Sequence, residues 1–364
     1  MIDIHISSGT EESLYCKNIN KASIIENLKM KKEAAFWKAR KNEIVQCVLC
    51  PHHCVIAHDK RGICGVRKNE HGKLYTLIYG ACSSVANDPI EKKPLYHFYP
   101  GSHVFSLGSV GCTFRCDYCQ NYDISMAHPE TLSLQDILPE KVSEIATDHG
   151  CRGVAWTYNE PTIWYEYTLD TAKLVKNAGL YTVYVTNGYI EKEPLEEIAS
   201  YLDAMNIDIK AFHEEFYRTI CKAKLAPVLQ TCERAKKLGI HLELTYLVIP
   251  GFNDAPQEIK EFCQWVGQKI GLDTPVHFSR FHPEYKMITT QATPMSTLLS
   301  CHSIAKDTGL RFVYLGNIAH SDYDNTYCPS CKNLLIERYG FSAQMKGLIK
   351  EKCNRCGAAI PFIF

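Results

Sequence analysis

The stretch Gly111-Cys112-Thr113-Phe114-Arg115-Cys116-Asp117-Tyr118-Cys119-Gln120 decides the fold of this 364-residue chain. Its three cysteines have C-x-x-x-C-x-x-C spacing and directly follow an apolar run typical of a buried strand. Three thiolates ligate three irons of a [4Fe-4S] cluster and leave the fourth iron without a protein ligand. An open coordination position is typical of a catalytic metal site. The alternatives are a zinc knuckle that lacks one ligand and three unrelated buried thiols.

This spacing, with aromatic Tyr118 before the last cysteine, resembles the radical S-adenosylmethionine (SAM) superfamily. In that family the free iron binds SAM through its amino and carboxylate groups. An electron from the cluster then breaks the S–C5′ bond and releases a 5′-deoxyadenosyl radical. The resemblance implies a [4Fe-4S] cluster on Cys112, Cys116 and Cys119, bound SAM near Tyr118, and an external electron donor such as flavodoxin or ferredoxin.

Composition indicates a globular cytoplasmic protein rather than a nucleic-acid or membrane protein. The chain has 40 Lys and Arg against 40 Asp and Glu, so it lacks the broad positive charge of a dedicated nucleic-acid binder. No stretch approaches eighteen consecutive apolar residues, and the N-terminus lacks the pattern of a signal peptide. We therefore expect no membrane association.

Eighteen cysteines fall into short clusters, which indicates metal binding in a reducing compartment rather than a disulfide scaffold. Eleven of them belong to three clusters, and the other seven are expected to be small buried apolar side chains. These seven are Cys16, Cys82, Cys151, Cys221, Cys232, Cys263 and Cys301.

A repeated pattern from residue 104 onward predicts parallel βαβ units. Amphipathic helices end in a basic residue and Gly, at Gly179, Gly239 and Gly309, and then run into β-branched and aromatic strands. About seven strands are predicted, near residues 104–110, 153–158, 181–185, 204–210, 241–245, 276–281 and 312–315. Periodicity leaves a barrel and an open doubly wound sheet as alternatives.

The cluster motif favours the α/β class with the partial (β/α)6 barrel of radical SAM enzymes, whose active site lies at the carboxyl ends of the strands. Six residues lie at predicted strand ends: Cys112, Glu160, Asn187, Lys210, Pro250 and His282. The predicted domains are an N-terminal arm (1–45) with a helix over 24–40, a cysteine-rich metal-binding segment (46–100), the barrel (101–319) and a zinc-ribbon-like module (320–364).

Asn159 and Glu160 follow the second predicted barrel strand. A carboxylate at a strand end can accept hydrogen bonds from the SAM ammonium, and the resemblance implies that Glu160 occupies the place of the family's methionine-binding segment. The alternative is an acidic residue at a helix entry, favoured there by the helix dipole.

The next three strand ends resemble those of the pyruvate formate-lyase activating enzyme group. The resemblance gives Thr186, Asn187, Asp208 and Lys210 a role near SAM. That group commonly has an acidic residue where this chain has Val185, which puts a monovalent-cation site in doubt. Either His282 or Arg280 is expected over the substrate, with a core histidine as the alternative to a binding role for His282.

Two further cysteine sets flank the predicted barrel. Cys47, Cys50, Cys54 and Cys64 suit tetrahedral zinc and an iron–sulfur cluster equally well. Cys328, Cys331, Cys353 and Cys356 form two C-x-x-C knuckles around a predicted ribbon strand at 334–339, which indicates structural zinc, with an electron-relaying cluster as the alternative.

Residues 88–101, 111–120, 313–318 and the C-terminal knuckles together resemble the AmmeMemoRadiSam-system radical SAM enzymes. The resemblance covers residues 34–364 and implies Memo-like and AMMECR-type partner proteins. Within this region, Glu91-Lys92-Lys93-Pro94 is either a charged lip above the cluster or a solvated loop.

Three functional hypotheses follow. The first is a radical SAM enzyme that abstracts hydrogen from a substrate the sequence does not identify. The second is a glycyl-radical activase that acts on a partner enzyme. The third is a non-catalytic metal-ribbon module that binds protein or RNA.

Overall fold

The computed structural model describes residues 30–319 and 322–364. The N-terminal part forms short antiparallel strands around the first cysteine set. One sheet has the order β1-β6-β5 and another the order β2-β3-β4, and β7 pairs with a later strand at Gln135–Asp136. These strands are β1 (Lys32–Glu33), β2 (Trp37–Ala39), β3 (Val45–Cys47), β4 (Val55–Ile56), β5 (Arg67–Glu70), β6 (Lys73–Thr76) and β7 (Ala81–Cys82).

An eight-stranded sheet forms the centre of the molecule, with its strands side by side in chain order. All seven predicted strands are present and parallel, and a preceding strand, β8, runs antiparallel to the first of them. In the described part of the chain the outer strands β8 and β16 do not pair, so the sheet stays open. The strands from β8 onward are β8 (Ser84–Pro89), β9 (His103–Gly108), the short β10 (Gln135–Asp136), β11 (Gly153–Trp156), β12 (Tyr181–Thr186), β13 (Ala204–Asp208), β14 (His241–Val248), β15 (Val276–Arg280) and β16 (Val313–Gly316).

Helices connect the parallel strands, as the alternating pattern predicts. Helix α3 shows how they end: Gly179 has a φ of 76°, and Leu180 N–H donates to Val175 O at 3.1 Å. This left-handed cap turns the chain into the next strand. The helices are α1 (Tyr122–Ser125), α2 (Pro139–Asp148), α3 (Tyr165–Asn177), α4 (Lys192–Ile198), α5 (Glu214–Phe216), α6 (Leu225–Lys237), α7 (Pro256–Trp265) and α8 (Met295–Asp307).

The C-terminal residues form small antiparallel sheets next to β16. The predicted ribbon strand at 334–339 is confirmed as β18. Arg338 on this strand is fully buried and donates to Tyr96 O at 2.8 Å, which fixes the C-terminal strands against the segment that precedes β9. The strands are β17 (Thr326–Tyr327), β18 (Leu334–Tyr339), β19 (Ser342–Met345), β20 (Leu348–Ile349) and β21 (Lys352–Cys353).

The predicted helix over 24–40 is wrong for residues 30–40, where β1 and β2 lie instead; residues 24–29 lie outside the described part. Ala34 N–H donates to Leu74 O, so this segment joins a sheet. Phe36 has a positive φ of 53°, which no helix accommodates, and its ring packs edge-on against Tyr165. The apolar residues here fit a strand and a turn that pack against helix α3.

Six of the seven isolated cysteines are buried, as expected, and Cys16 lies outside the described residues. None of the helices in residues 30–319 and 322–364 has the length and apolar character needed to cross a membrane.

Candidate functional site

A cavity of about 340 Å³ lies at the carboxyl ends of the parallel strands. It brings together residues that are far apart in the sequence. Ten predicted site residues line it: Cys112, Cys116, Tyr118, Cys119, Asn159, Glu160, Thr186, Asn187, Asp208 and Lys210.

The loop that carries the three cysteines follows β9 and is held by its own arginine. The Arg115 guanidinium donates to the carbonyls of Cys112, Phe114 and Ser125 at 3.0, 3.1 and 3.2 Å. Arg115 N–H also donates to Cys221 O at 3.0 Å, at the end of the π-helical turn Tyr217–Cys221. The backbone is thereby fixed while the thiols face the cavity.

Burial raises the pKa of the Cys112 thiol, and the Glu160 carboxylate raises it further. Burial also raises the pKa of Cys119. Iron binding therefore has to displace protons from these thiols, as in other thiolate sites.

Asn159 positions the cysteine loop. Its Oδ1 accepts from Ser109 N–H at 3.0 Å, and its Nδ2 donates to Gly111 O at 2.9 Å. Both ends of the amide are therefore used in holding the start of the loop.

Glu160 is buried and caps the 3-10 turn Pro161–Trp164, so its helix-entry role is confirmed. It accepts from Thr162 N–H at 2.9 Å, from Thr186 Oγ1 at 2.7 Å and from Asn187 N–H at 2.8 Å. Burial raises its pKa despite these donors. Two carboxylate oxygens offer about four acceptor positions, so one remains for a ligand in the cavity.

Asn187 links the strand ends to the cysteine loop. Its Nδ2 donates to Thr113 Oγ1 at 2.9 Å and lies 3.7 Å from Cys112 Sγ. An N–H group near a ligating sulfur is one of the means by which proteins tune a cluster.

Asp208 and Lys210 form an ion pair at the end of β13, with Lys210 Nζ 2.8 Å from Asp208 Oδ2. Burial opposes the charge on Lys210, but Asp208 and Cys116 outweigh it and raise the pKa. Val185 lines the cavity in place of an acidic residue. The carboxylate of Asp208 is thus already paired with a cation of the protein.

Tyr118 is buried, and its hydroxyl lies 3.8 Å from the Cys221 sulfur. The isolated Cys221 therefore supports the cysteine loop, through both its side chain and its carbonyl. Nothing in its sequence context indicated this role.

The cavity is also lined by Lys92 and Lys93. Both ammonium groups contact Asp88, at 2.8 and 2.6 Å, and the Tyr158 hydroxyl donates to the same carboxylate at 2.6 Å. Burial lowers the pKa of Lys93 to about 8. Lys93 is buried at the cavity, whereas Lys92 lines the cavity and is also exposed to solvent. Asp88 and Tyr158 were not singled out from the sequence.

The structure does not bring His282 to the cavity. It is exposed in the loop after β15 and does not line the cavity. Arg280 is held by Thr293 O at 2.9 Å and does not line the cavity either. Ser279 reaches the cavity from this strand instead.

Cys47, Cys50, Cys54 and Cys64 surround a second, small cavity. Its volume is about 20 Å³. Burial, with contributions from neighbouring thiols, raises the pKa of Cys50, Cys54 and Cys64. The four side chains thus line one small space.

The C-terminal cysteines are packed more closely. Cys328 and Cys356 sulfurs lie 3.6 Å apart, as do those of Cys331 and Cys353, and all four lie within 4.8 Å of one another. The only other side chains of the described part grouped this closely as metal ligands are Glu43, His58 and His71 at the surface. Four sulfurs around a single ion have this spacing.

Comparisons with known proteins agree with this geometry. Residues 107–266 match the family described as the radical SAM superfamily. The chain is 45% identical over 334 residues to the uncharacterized protein MJ0808 of Methanocaldococcus jannaschii. The matched region covers 91% of this chain and 99% of that protein.

Two more distant relatives are activating enzymes. The pyruvate formate-lyase-activating enzyme of Clostridium pasteurianum is 26% identical over 42% of this chain and 65% of its own length. The benzylsuccinate synthase activating enzyme of Thauera aromatica is 22% identical over 42% of this chain and 46% of its own length.

Proposed function

Because the chain belongs to the radical SAM superfamily, we propose that it cleaves SAM reductively to a 5′-deoxyadenosyl radical that abstracts hydrogen from a substrate. Cys112, Cys116 and Cys119 would hold the [4Fe-4S] cluster, which supplies the electron. The observation that carries the proposal is the opening of these three thiols onto a cavity lined by residues from six successive parallel strands and the loops after them, β9 and β11 to β15. Three thiols for four irons leave one position for SAM.

The chain's own residues suit SAM binding on the side of β11 to β13. The free acceptor position of Glu160 suits the SAM ammonium, and Thr186 keeps that carboxylate oriented through its hydroxyl. Asn187 and Lys210 offer donors near the cysteines, to which Lys210 is electrostatically coupled. Lys92 and Lys93 would face the substrate.

A glycyl-radical activase is the second candidate. Its support is the similarity to the two activating enzymes, which covers less than half of this chain. A non-catalytic ribbon module has less support, because such a module needs no cavity beside Cys112, Cys116 and Cys119.

We propose one structural zinc for Cys328, Cys331, Cys353 and Cys356, since ligands of one tetrahedral zinc lie about 3.8 Å apart when Zn–S is about 2.3 Å. On the basis of the resemblance we also propose a flavodoxin or ferredoxin as electron donor, and Memo-like and AMMECR-type proteins as partners. The proposal of a cytoplasmic location rests on the free thiols of the described cysteines.

The test is anaerobic reconstitution with iron and sulfide, followed by SAM and dithionite. Wild-type protein should form 5′-deoxyadenosine, and the triple variant Cys112→Ala, Cys116→Ala, Cys119→Ala should form none. Cys151→Ala, at a buried cysteine outside the three sets, serves as the matched control and should retain activity. Product from the triple variant would disprove the assignment of these ligands.

A further inference from the structure

We propose that Cys47, Cys50, Cys54 and Cys64 hold a second [4Fe-4S] cluster, which passes single electrons to the cluster on Cys112, Cys116 and Cys119. The first half of this proposal, a cluster rather than zinc, depends only on the N-terminal cysteines. The second half, electron transfer, rests on the proposed function of the main cavity.

Sulfur spacing distinguishes the two metals. Four thiolates that bind one zinc ion lie close together. The C-terminal sulfurs have this arrangement, since each lies within 4.8 Å of the other three. Among the residues that the structure describes, the N-terminal cysteines do not form such a group. The four cysteines of a cubane each bind a different iron, so their sulfurs stand further apart around the inorganic core. The four N-terminal thiols line one common space without closing on a single point, which is the arrangement that ligands of one inorganic core need.

The lining of this space also suits a cluster. Besides the cysteines, four of its eight lining residues are aliphatic, namely Leu49, Ile56, Ile63 and Ile163, and they lower the polarity around the thiols. A dry surrounding and hydrogen bonds to sulfur are the means by which a protein sets a cluster's reduction potential.

Arg67 supplies a buried positive charge to this space. It is 2% exposed, its Nη1 lies 3.5 Å from Cys47 Sγ, and it pairs with Glu166. Its Nε is buried and has no hydrogen-bond partner among the described residues. A cluster with four thiolates carries net negative charge and sulfide acceptors, which this guanidinium complements.

The two cysteine sites are in direct contact. Gly111, with a φ of 88°, lies so close to Cys64 that a Cβ would overlap the Cys64 carbonyl oxygen. His52 Nε2 lies 2.7 Å from Thr113 O, and the Arg115 guanidinium donates to Ile63 O. The residues on both sides of Cys112 therefore touch the loop that carries the second site.

This contact provides a route for one electron at a time. A low-potential one-electron donor of the ferredoxin or flavodoxin class reduces the second cluster. That cluster would return to its oxidised form on passing the electron to the cluster held by Cys112, Cys116 and Cys119, which would supply the electron for SAM cleavage. One electron enters and one leaves, and no proton is transferred between the two clusters.

The metal test leaves the N-terminal cysteines unchanged. After anaerobic reconstitution, wild-type protein should contain about eight irons, and the Cys112→Ala, Cys116→Ala, Cys119→Ala variant about four irons and four sulfides. Cys353→Ser is the matched control: it should lose about one zinc and retain all iron. A triple variant that binds zinc and no iron would refute the second cluster, whether or not wild-type protein cleaves SAM.

The transfer step is tested by electron paramagnetic resonance of fully reduced protein. Cys50→Ser, Cys54→Ser protein gives the SAM-binding cluster alone, and the triple variant gives the second cluster alone. The wild-type spectrum should be broadened by spin coupling relative to the sum of these two, because the sites adjoin. A spectrum equal to the sum would refute the transfer step. If the double variant fails to fold, spin-relaxation enhancement between the clusters in wild-type protein decides the question, and its absence refutes the step.

Discussion

Glu160 shows how one residue combines two roles that looked like alternatives. It caps a 3-10 turn, and it also lines the main cavity with one acceptor position to spare. Its three donors come from Thr162, after β11, and from Thr186 and Asn187 at the end of β12. The carboxylate is therefore held in place before any ligand arrives.

We expect Glu160→Ala to weaken SAM binding by about 10- to 150-fold, which corresponds to the loss of a charge-assisted hydrogen bond of about 1.5–3 kcal/mol. Equilibrium dialysis with reconstituted protein measures this, and iron content should stay unchanged. Glu258→Gln is a matched control, since Glu258 also accepts a backbone N–H, from Phe212, but lies outside the cavity. An unchanged SAM affinity would leave Glu160 with its capping role alone.

At the residue scale, the sequence identified groups whose chemistry is visible in a short motif. The cysteines, Glu160, Asn187 and Lys210 follow strands that the pattern predicts, and parallel strands bring their carboxyl ends together. Asp88 and Cys221 could not be found in this way, because their roles arise from contacts between distant segments. His282 was misplaced because a strand end does not specify which way the next loop turns.

At the scale of elements, the parallel strands were predictable because helix ends, glycines and β-branched runs agree at each repeat. The helix predicted over 24–40 had only an irregular apolar stripe, and a neighbouring strand supplied better partners for its backbone. The segment before β9 is a further element without a sequence signal. It crosses β13 and β14, where Asn206 Nδ2 donates to Pro94 O at 2.8 Å.

Glu243 on β14 holds this segment. It is fully buried and accepts hydrogen bonds from the backbone N–H groups of Tyr96 and His97 at 3.0 and 2.7 Å. The Nε2 atoms of His241 and His277 lie 3.0 and 2.7 Å from the same carboxylate. Burial alone would raise its pKa, but the two histidines outweigh burial and hold the pKa well below its usual range. The folded state therefore favours the ionised carboxylate.

A carboxyl group with a depressed pKa in the folded state stabilises the fold above its unfolded pKa of about 4.3, and this stability is lost as pH falls further. We expect Glu243→Gln to lower the free energy of unfolding by about 3–5 kcal/mol at pH 7 and to flatten its decline below about pH 4. Urea unfolding at pH 7 and pH 3 measures both effects.

Glu91→Gln is the control, because burial raises the pKa of Glu91 and gives the opposite pH dependence. This variant should not flatten the decline of the free energy of unfolding below about pH 4. Equal pH dependence in wild-type and Glu243→Gln protein would contradict the role of Glu243.

At the scale of the whole molecule, the sequence predicted three cysteine sites around an α/β sheet but not how they are arranged. The N-terminal set adjoins the main cavity, whereas the C-terminal set packs beyond β16 against Tyr96 and Phe312. These relations depend on turns such as Gly111 and on buried pairs such as Glu91 and Arg338. Such contacts join segments that are distant in the sequence, from Gly111 and Cys64 to Glu91 and Arg338, and leave no local pattern.

The segment held by Glu243 also determines from which side the main cavity is reached. Glu243, Thr245 and Leu247 are every second residue of β14, so they share one face of the strand. Thr245 and Leu247 line the cavity, and Glu243 lies on the same face nearer the start of the strand. The segment from Pro94 to Phe98 thus forms a floor, and the cavity opens on the side of the strand-end loops.

We expect hydrogen–deuterium exchange to show protection of residues 109–121 when SAM binds, with no change at 94–98; the reverse would contradict a closed floor. A macromolecule acted on here would have to dock over the loops and extend a side chain or a loop inward, whereas a small molecule would enter by the same route that SAM uses.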